Sequence, residues 1–537
     1  MNEANIYRVF MLMHGIRVET GGMTRVMLNR SKMLSERGHQ VALITLDEAD
    51  YIGIGRQLRK LGRLGENVGI LNIYDDLRAQ MSVQYPTFTR WRYRRAARLE
   101  ERGFRVLREE TRGAVTARYY HRGRLVKTKQ WDKKQRLQAI EYYDEADRPV
   151  VRLLYNRQGF VHIRQHLDPN SGAVKKAEYC TADGYVFLRR WYTENGQLAG
   201  ITLYDRHAGE ERLFRDEFSF HVDWLNQLCR RQPQRPFIIC DGIGSAPKVL
   251  ATAKDVCYRI FPTHSTHLNA PYTLGSPVKK SYQPILQHLD DIDALVVPTT
   301  SQFQDVCTQF GPRKNVFVIP HSVTKMADVS VRRNPQKVVM VTRLNPEKAI
   351  EEAILAFHQA MQGRPDAVLE IYGEGPCRAE LEQLVAELGC GENVRLMRYL
   401  TQVETAFRGA SMMIMTSKFE GFPMVILESM WNETPVISYD INYGPRDVIR
   451  DGETGYLIPP GNRQQLADRI RELLDHPERA REMGRRARRD IESRYSERVI
   501  GPMWEQLFSA LAGRDSQSVR LATQPEPSSV QTPSTQG

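Results

Sequence analysis

The densest collection of chemically capable side chains lies between residues 343 and 428. Arg343 and Lys348 stand five residues apart in RLNPEK, one straight after the apolar run VVMVT and one entering a helical segment. Two cations so placed can grip a diphosphate and neutralise the charge that grows on it as it leaves, work that a metal ion would otherwise do. Gly373-Glu374-Gly375 follows, and then Glu420 and Glu428, with seven residues between them, in EGFPMVILE. The segment Gly421-Phe422-Pro423 opens a helix whose unsatisfied backbone donors and positive dipole end suit phosphate oxygens. Glu428 lies about two turns further along, where a carboxylate can accept both hydroxyls of a ribose. Glu420 would then sit against a sugar.

Positioning these groups requires parallel strands, because ligands of open α/β sheets bind beyond the strands' carboxyl ends. The apolar runs KVVMVTRL, AVLEIYGEG and SMMIMTS supply such a series over 337–417, and PFIICDG, ALVVPTT and NVFVIPH supply another over 236–321. The chain opens with the run RVFMLMH, the pair Gly21-Gly22, an amphipathic stretch ending at Gly38 and a second strand QVALITL, which is the start of a β/α/β unit. The expected architecture is α/β, with two doubly wound parallel-sheet lobes facing across a cleft. Residues 1–85 and 216–320 form the first lobe and 321–495 the second. From about residue 113 to 215 turn signals recur at near-regular spacing, at Asn156 to Gly159, Asp168 to Gly172, Asp183-Gly184 and Glu194 to Gly196. They predict an antiparallel β meander inserted in the first lobe over 86–215, whose free edges offer an oligomer contact. Residues 496–513 read as a helix crossing back over the lobes, and 514–537 as a tail too polar to fold.

Bulk properties narrow the function. The chain has 537 residues and a net charge of +12, and the stretch from Arg90 to Arg136 holds 17 Lys+Arg against 5 Asp+Glu, a surplus equal to that of the whole chain. Interleaved with Trp91, Tyr93, Tyr119, Tyr120 and Trp131, this stretch suggests a polyanion or an anionic membrane surface as partner. No nucleic-acid-binding module is recognisable, so nucleic acid is not expected. Seven scattered cysteines without a Cys-x-x-Cys pair argue against a disulfide framework and a zinc site. No run reaches the roughly 20 apolar residues of a spanning helix, and the N-terminus lacks a secretory pattern. The expectation is therefore a cytoplasmic protein, peripheral to the inner face of the membrane. The tetrapeptide DEAD at 47–50 and 144–147 has no phosphate-binding loop to accompany it, and Asp291 and Asp293 precede a strand, at the wrong end for the cleft. Asp241, at the end of FIICD, is read as a loop cap rather than a substrate contact.

Taken together, the Arg-x4-Lys pair, the Glu-x7-Glu motif and the following PVISYDINYGPRDVIRDGETGYLIPPGN resemble the retaining nucleotide-sugar glycosyltransferases of the two-lobed GT-B type, family 4. Within that family, the YDINYGPRD stretch joined to a β-rich insertion is similar to bacterial enzymes that place α-glucose or N-acetylglucosamine on wall teichoic acid, and also to transferases of serine-rich adhesins. The resemblance implies that Arg343 and Lys348 grip the diphosphate, Glu420 contacts the donor sugar, and Glu428 holds the ribose. It further implies donor-binding roles for Gly21, Gly22, Gly373, Gly375, Gly421, Phe422 and Pro423. One histidine of THSTH should lie near the donor sugar; His264 matches that position better than His267. His321 in IPHSV departs from the Asn-Gly of many relatives. The implied reaction is metal-independent hexosyl transfer from UDP-glucose or UDP-N-acetylglucosamine to a poly(glycerol-phosphate)-like or poly(ribitol-phosphate)-like polymer. Transfer to serine-rich proteins, or a binding subunit that has lost turnover, are the alternatives.

Overall fold

The computed structural model describes residues 6–18, 22–83, 88–324, 329–400 and 402–513. Gly21 and the 514–537 tail lie outside the described residues. Two compact units emerge: one of residues 1–43, 50–70 and 232–537, the other of residues 44–49 and 71–231.

The larger unit carries two parallel sheets. The first orders its seven strands Val316–Val318, Ala294–Val297, Tyr258–Pro262, Phe237–Cys240, Arg8–Met13, Gln40–Thr45 and Gly69–Asn72. The second orders six strands as Val394–Met397, Val368–Tyr372, Lys337–Val341, Met412–Met415, Val436–Tyr439 and Gly455–Ile458. Central strands such as Phe237–Cys240, Ala294–Val297 and Met412–Met415 are buried at every position. That is why the sequence shows continuous apolar runs there: helices cover both faces of a parallel sheet. In the second sheet the winding direction reverses between Lys337–Val341 and Met412–Met415, which pair directly. The loops that follow these two strands carry Arg343 to Lys348 and Ser417 to Pro423.

The terminal helix Glu497–Ala512 returns to the first lobe. Arg37 donates to Glu505 at 2.8 Å and 2.6 Å, and Phe508 packs against Phe237 and Tyr7. Among the described residues, no helix is long and apolar enough to cross a membrane.

The smaller unit is built on a ten-stranded antiparallel meander in which every strand pairs with its sequence neighbours, from Arg105–Thr111 to Glu210–Phe214. Its regularity comes from the turns. Asp132, Asp144, Asn156 and Asp168 recur every twelve residues. Each side chain accepts from backbone N–H groups on its own turn: Asp132 from Lys134 and Arg136, Asp144 from Ala146 and Arg148, Asn156 from Gln158 and Phe160, Asp168 from Asn170 and Ser171. Short polar side chains that close their own turns fix strand length and register together. On one face Val115, Ala117, Tyr119, Trp131, Leu137 and Ile140 form a core with residues of the preceding segment. Lys129, fully buried there, donates to the carbonyls of Ala96 and Arg98 and pairs with Glu101.

Candidate active site

Two loops of the second lobe are stitched together at the reversal point. Thr416 Oγ1 donates to the carbonyls of Lys348 (3.1 Å) and Ala349 (2.8 Å), and the Lys418 N–H donates to the Glu347 carbonyl at 2.8 Å. This brings Lys348 Nζ to 2.6 Å from Glu420 Oε1, which also accepts from Ser417 Oγ at 2.8 Å. Lys348 is buried, so the pair sits in a medium where charge acts strongly. Arg343 does not join it. Its side chain is 70% exposed and leans onto Glu347, 3.6 Å away, a usual i,i+4 partner.

Gly373 and Gly375 have a packing reason to be glycine. A Cβ at Gly373 would lie 1.8 Å from the Thr342 carbonyl oxygen, and one at Gly375 would lie 2.3 Å from that of Leu344. The Leu344 N–H donates to Glu374 and the Cys377 N–H to Leu344, so this glycine turn clamps the loop that carries Arg343.

The other half of the motif opens the helix Met424–Trp431, whose N-terminus at Pro423 has no side-chain cap. Glu428 is buried on this helix. Burial raises its pKa above the ordinary glutamate range, and the guanidinium of Arg25, donating at 2.6 Å from the helix Gly22–Glu36, counteracts part of that rise. The first and second lobes therefore meet at this carboxylate. They meet again at Gly421, where a Cβ would come within 2.5 Å of the Ser265 backbone and 2.6 Å of the His264 carbonyl carbon. Gly22 differs: among the described residues a Cβ there meets nothing within 4 Å, so none of them demands glycine by packing. Phe422 is buried and stands edge-on to His321.

The two histidines of THSTH separate clearly. His267 stacks on Tyr443 and takes a hydrogen bond from Gln302, and burial lowers its pKa. His264 instead donates from Nε2 to Asp241 Oδ1 at 2.9 Å and stacks on His321, with ring centroids 5.3 Å apart. Burial pushes the His321 pKa well down, with His264 and Arg30 adding to the effect. Asp241 is not a loop cap. Its side chain is fully buried, facing Arg30 at 2.7 Å as well as His264. A sequence reading misses this because the partners come from residues 30 and 264.

Part of the basic stretch is ion-paired, mostly to acids of the same stretch. Arg108, Arg118, Arg124, Lys127, Lys129 and Arg136 all reach carboxylates. A cluster that the count missed lies further along the meander. On three adjacent strands Arg164, His166, Lys176 and Arg189 surround Glu178 at 3.1 to 3.4 Å. The half-exposed Trp191 ring lies beside Lys176 and Arg189, and Arg189 also donates to Tyr204 at 2.7 Å. Asp291 and Asp293 are engaged with Lys254 and Arg259, and among the described residues no cluster of His, Cys, Asp or Glu could hold a metal ion.

Comparison with known proteins bears on the fold and the family likeness. Residues 323–490 match the family described as glycosyl transferases group 1. The poly(ribitol-phosphate) alpha-N-acetylglucosaminyltransferase of Staphylococcus aureus is 25% identical over 94% of this chain and 100% of its own length. The poly(glycerol-phosphate) alpha-glucosyltransferase of Bacillus subtilis is 23% identical over 88% of this chain and 72% of its own. The crystal structure of TarM superposes with a TM-score of 0.81 at 23% identity, covering 95% of this chain and 100% of that one. An S. aureus TarM variant in complex with fondaparinux, alpha-GlcNAc-glycerol and UDP gives 0.77 at 24%, covering 94% and 100%. The chain thus has the two-lobed GT-B fold with an antiparallel β insertion, its second lobe matches the glycosyl transferases group 1 model, and as a whole it resembles the poly(ribitol-phosphate) and poly(glycerol-phosphate) glycosyltransferases.

Proposed function

We propose that the chain transfers glucose or N-acetylglucosamine, with retention, from a UDP-sugar to a phosphodiester polymer of the poly(ribitol-phosphate) or poly(glycerol-phosphate) kind, working at the cytoplasmic face of the membrane. The observation that carries this reading is the 2.6 Å contact between Lys348 and Glu420 at the reversal point of the second sheet. A buried ammonium there is aimed where a departing diphosphate would gather charge, and Glu420, which orients it, keeps its second oxygen for a sugar hydroxyl. Arg343, on the same loop with an exposed side chain, adds a second cation once the diphosphate is present, so that the protein supplies the charge a metal ion would bring. Glu428 takes the ribose hydroxyls, and the uncapped start of its helix faces the phosphates. Gly22 lets backbone approach the donor closely.

For the acceptor, the names of the two relatives and the cation cluster around Glu178 point the same way. Three permanent cations and a histidine share one carboxylate, beside an exposed indole that can lie against a polyol. Phosphodiesters passing over this face would find a net positive surface. The deciding experiment incubates the purified chain with UDP-glucose or UDP-N-acetylglucosamine, with and without each polymer. Release of UDP and labelling of polymer is the expected result. If neither donor yields UDP in the presence or absence of polymer, the proposal fails; labelling of a serine-rich polypeptide instead would move the acceptor assignment to protein.

A further inference from the structure

We infer that Asp241 is a positioning residue for transfer: held by Arg30, it fixes the His264 ring so that Nδ1 is presented as an acceptor to a hydroxyl of the donor sugar. The inference rests on the reading of this site as a sugar-nucleotide site and adds a residue that the sequence motifs do not include.

The geometry is a relay from the end of the chain to the site. Trp504, on the terminal helix Glu497–Ala512, lies under the Arg30 guanidinium, 4.6 Å from it. Arg30 Nη1 donates to Asp241 Oδ1 at 2.7 Å, and the same oxygen accepts from His264 Nε2 at 2.9 Å. Burial alone would raise the Asp241 pKa, but Arg30 and His264 together hold it below the usual carboxylate range. An ionised carboxylate can only accept, so the Nε2 of His264 must carry the proton in this bond. His321 stacks on the ring, and the Tyr282 hydroxyl takes the His264 backbone N–H, so neither bonds Nδ1.

Nδ1 is then a lone pair. It is buried, and no protein group bonds it. A buried acceptor without a partner costs free energy unless a ligand supplies the donor. The His264 backbone abuts Gly421, the residue next to Glu420, so its segment packs against the loop that carries Glu420, the partner of Lys348. Asp241 touches neither donor nor acceptor in this scheme and acts only through His264.

The test is a double-mutant cycle between Asp241→Asn and His264→Ala, read as kcat/KM for the UDP-sugar, with UDP affinity and thermal midpoint measured on every variant. In the wild-type background Asp241→Asn should lower kcat/KM by about tenfold to a hundredfold, the usual cost of losing the group that orients a histidine. UDP affinity should be little changed. In the His264→Ala background the same substitution should change kcat/KM by less than about twofold, since its target is gone. If Asp241→Asn does not yield folded protein, Arg30→Lys takes its place in the cycle. In that variant too kcat should fall while UDP affinity holds, a split that loss of packing alone would not produce. Equal effects in both backgrounds, or no effect in the wild type, overturn the inference while leaving the transferase reading intact. A wild-type protein that releases no UDP from any UDP-sugar overturns the transferase reading and this inference with it.

Discussion

Replacing Lys348 separates its work in the fold from its work in the reaction. Its ammonium is 2.6 Å from Glu420, and the side chains are 11% and 18% exposed. Removing one partner of a buried pair typically costs about 3–5 kcal/mol, and Glu420 keeps its bond from Ser417, so Lys348→Met should destabilise by about 3 kcal/mol, the low end of that range. Loss of aimed charge in the transition state is worth about 3–4 kcal/mol, which lowers kcat by about two to three orders of magnitude. The two effects come apart in a Glu420→Gln background. There the unpaired ammonium is itself a liability, so Lys348→Met should be neutral or stabilising, while the loss of turnover should persist. The assay pairs denaturant unfolding with UDP release at saturating donor for all four proteins. If Lys348→Met has no further effect on kcat once Glu420 is Gln, the lysine merely props its neighbour and the electrostatic mechanism is wrong.

Gly421→Ala forces a Cβ against the Ser265 and His264 backbones, and should cost about 1–3 kcal/mol of stability and most of the turnover, read by thermal unfolding and UDP release. Gly22→Ala meets nothing among the described residues, so the unfolding midpoint should hold while UDP affinity, measured by calorimetry, falls at least severalfold. Polymer binding should weaken steeply with added salt, as counterion release demands for a polyphosphate. Replacing Arg164 and Lys176 with Gln should lower the log–log salt slope by about one to two and leave polymer-independent UDP release unchanged. His162 has its pKa pushed down to about 4 by burial, with Arg78 adding to the shift. A depressed histidine binds fewer protons folded than unfolded, so its contribution is intact above the ordinary value near 6.5 and is lost as pH falls toward 4. Unfolding of His162→Gln followed from pH 7 to pH 4 should therefore show a shallower acid loss, by about 2 kcal/mol over that span.

What could be read in the sequence follows the range of the interactions. The two parallel lobes were visible because strands buried on both faces leave uninterrupted apolar runs. The meander was visible because its turns close locally through Asp132, Asp144, Asn156 and Asp168. Glu420 and Glu428 were visible because one loop and one helix set their spacing. Asp241 was misjudged for the opposite reason, since its partner Arg30 lies 211 residues away. The cation cluster at Glu178 escaped a charge count because Arg164, Lys176 and Arg189 are spread over three strands and converge only through register.

The same pairing explains how such a site can be built before its substrate arrives. Lys348 faces Glu420, Arg25 faces Glu428, and Arg30 faces Asp241, so each buried or half-buried cation has a carboxylate of its own. An unpaired ammonium or guanidinium at these depths would cost several kcal/mol and would swing toward whichever carbonyl it could reach. Paired, each is held in one direction. In the proposed reading a diphosphate entering the site shares a Lys348 ammonium that is already aimed, while sugar and ribose hydroxyls turn to the oxygens left over on Glu420 and Glu428. The donor therefore replaces no charge and reorients little, which is the condition under which fixed dipoles and charges favour a transition state over its ground state. It also follows that substituting either member of the Lys348–Glu420 or Arg25–Glu428 pair should damage binding and fold together, and that a cycle removing both members tells the two apart.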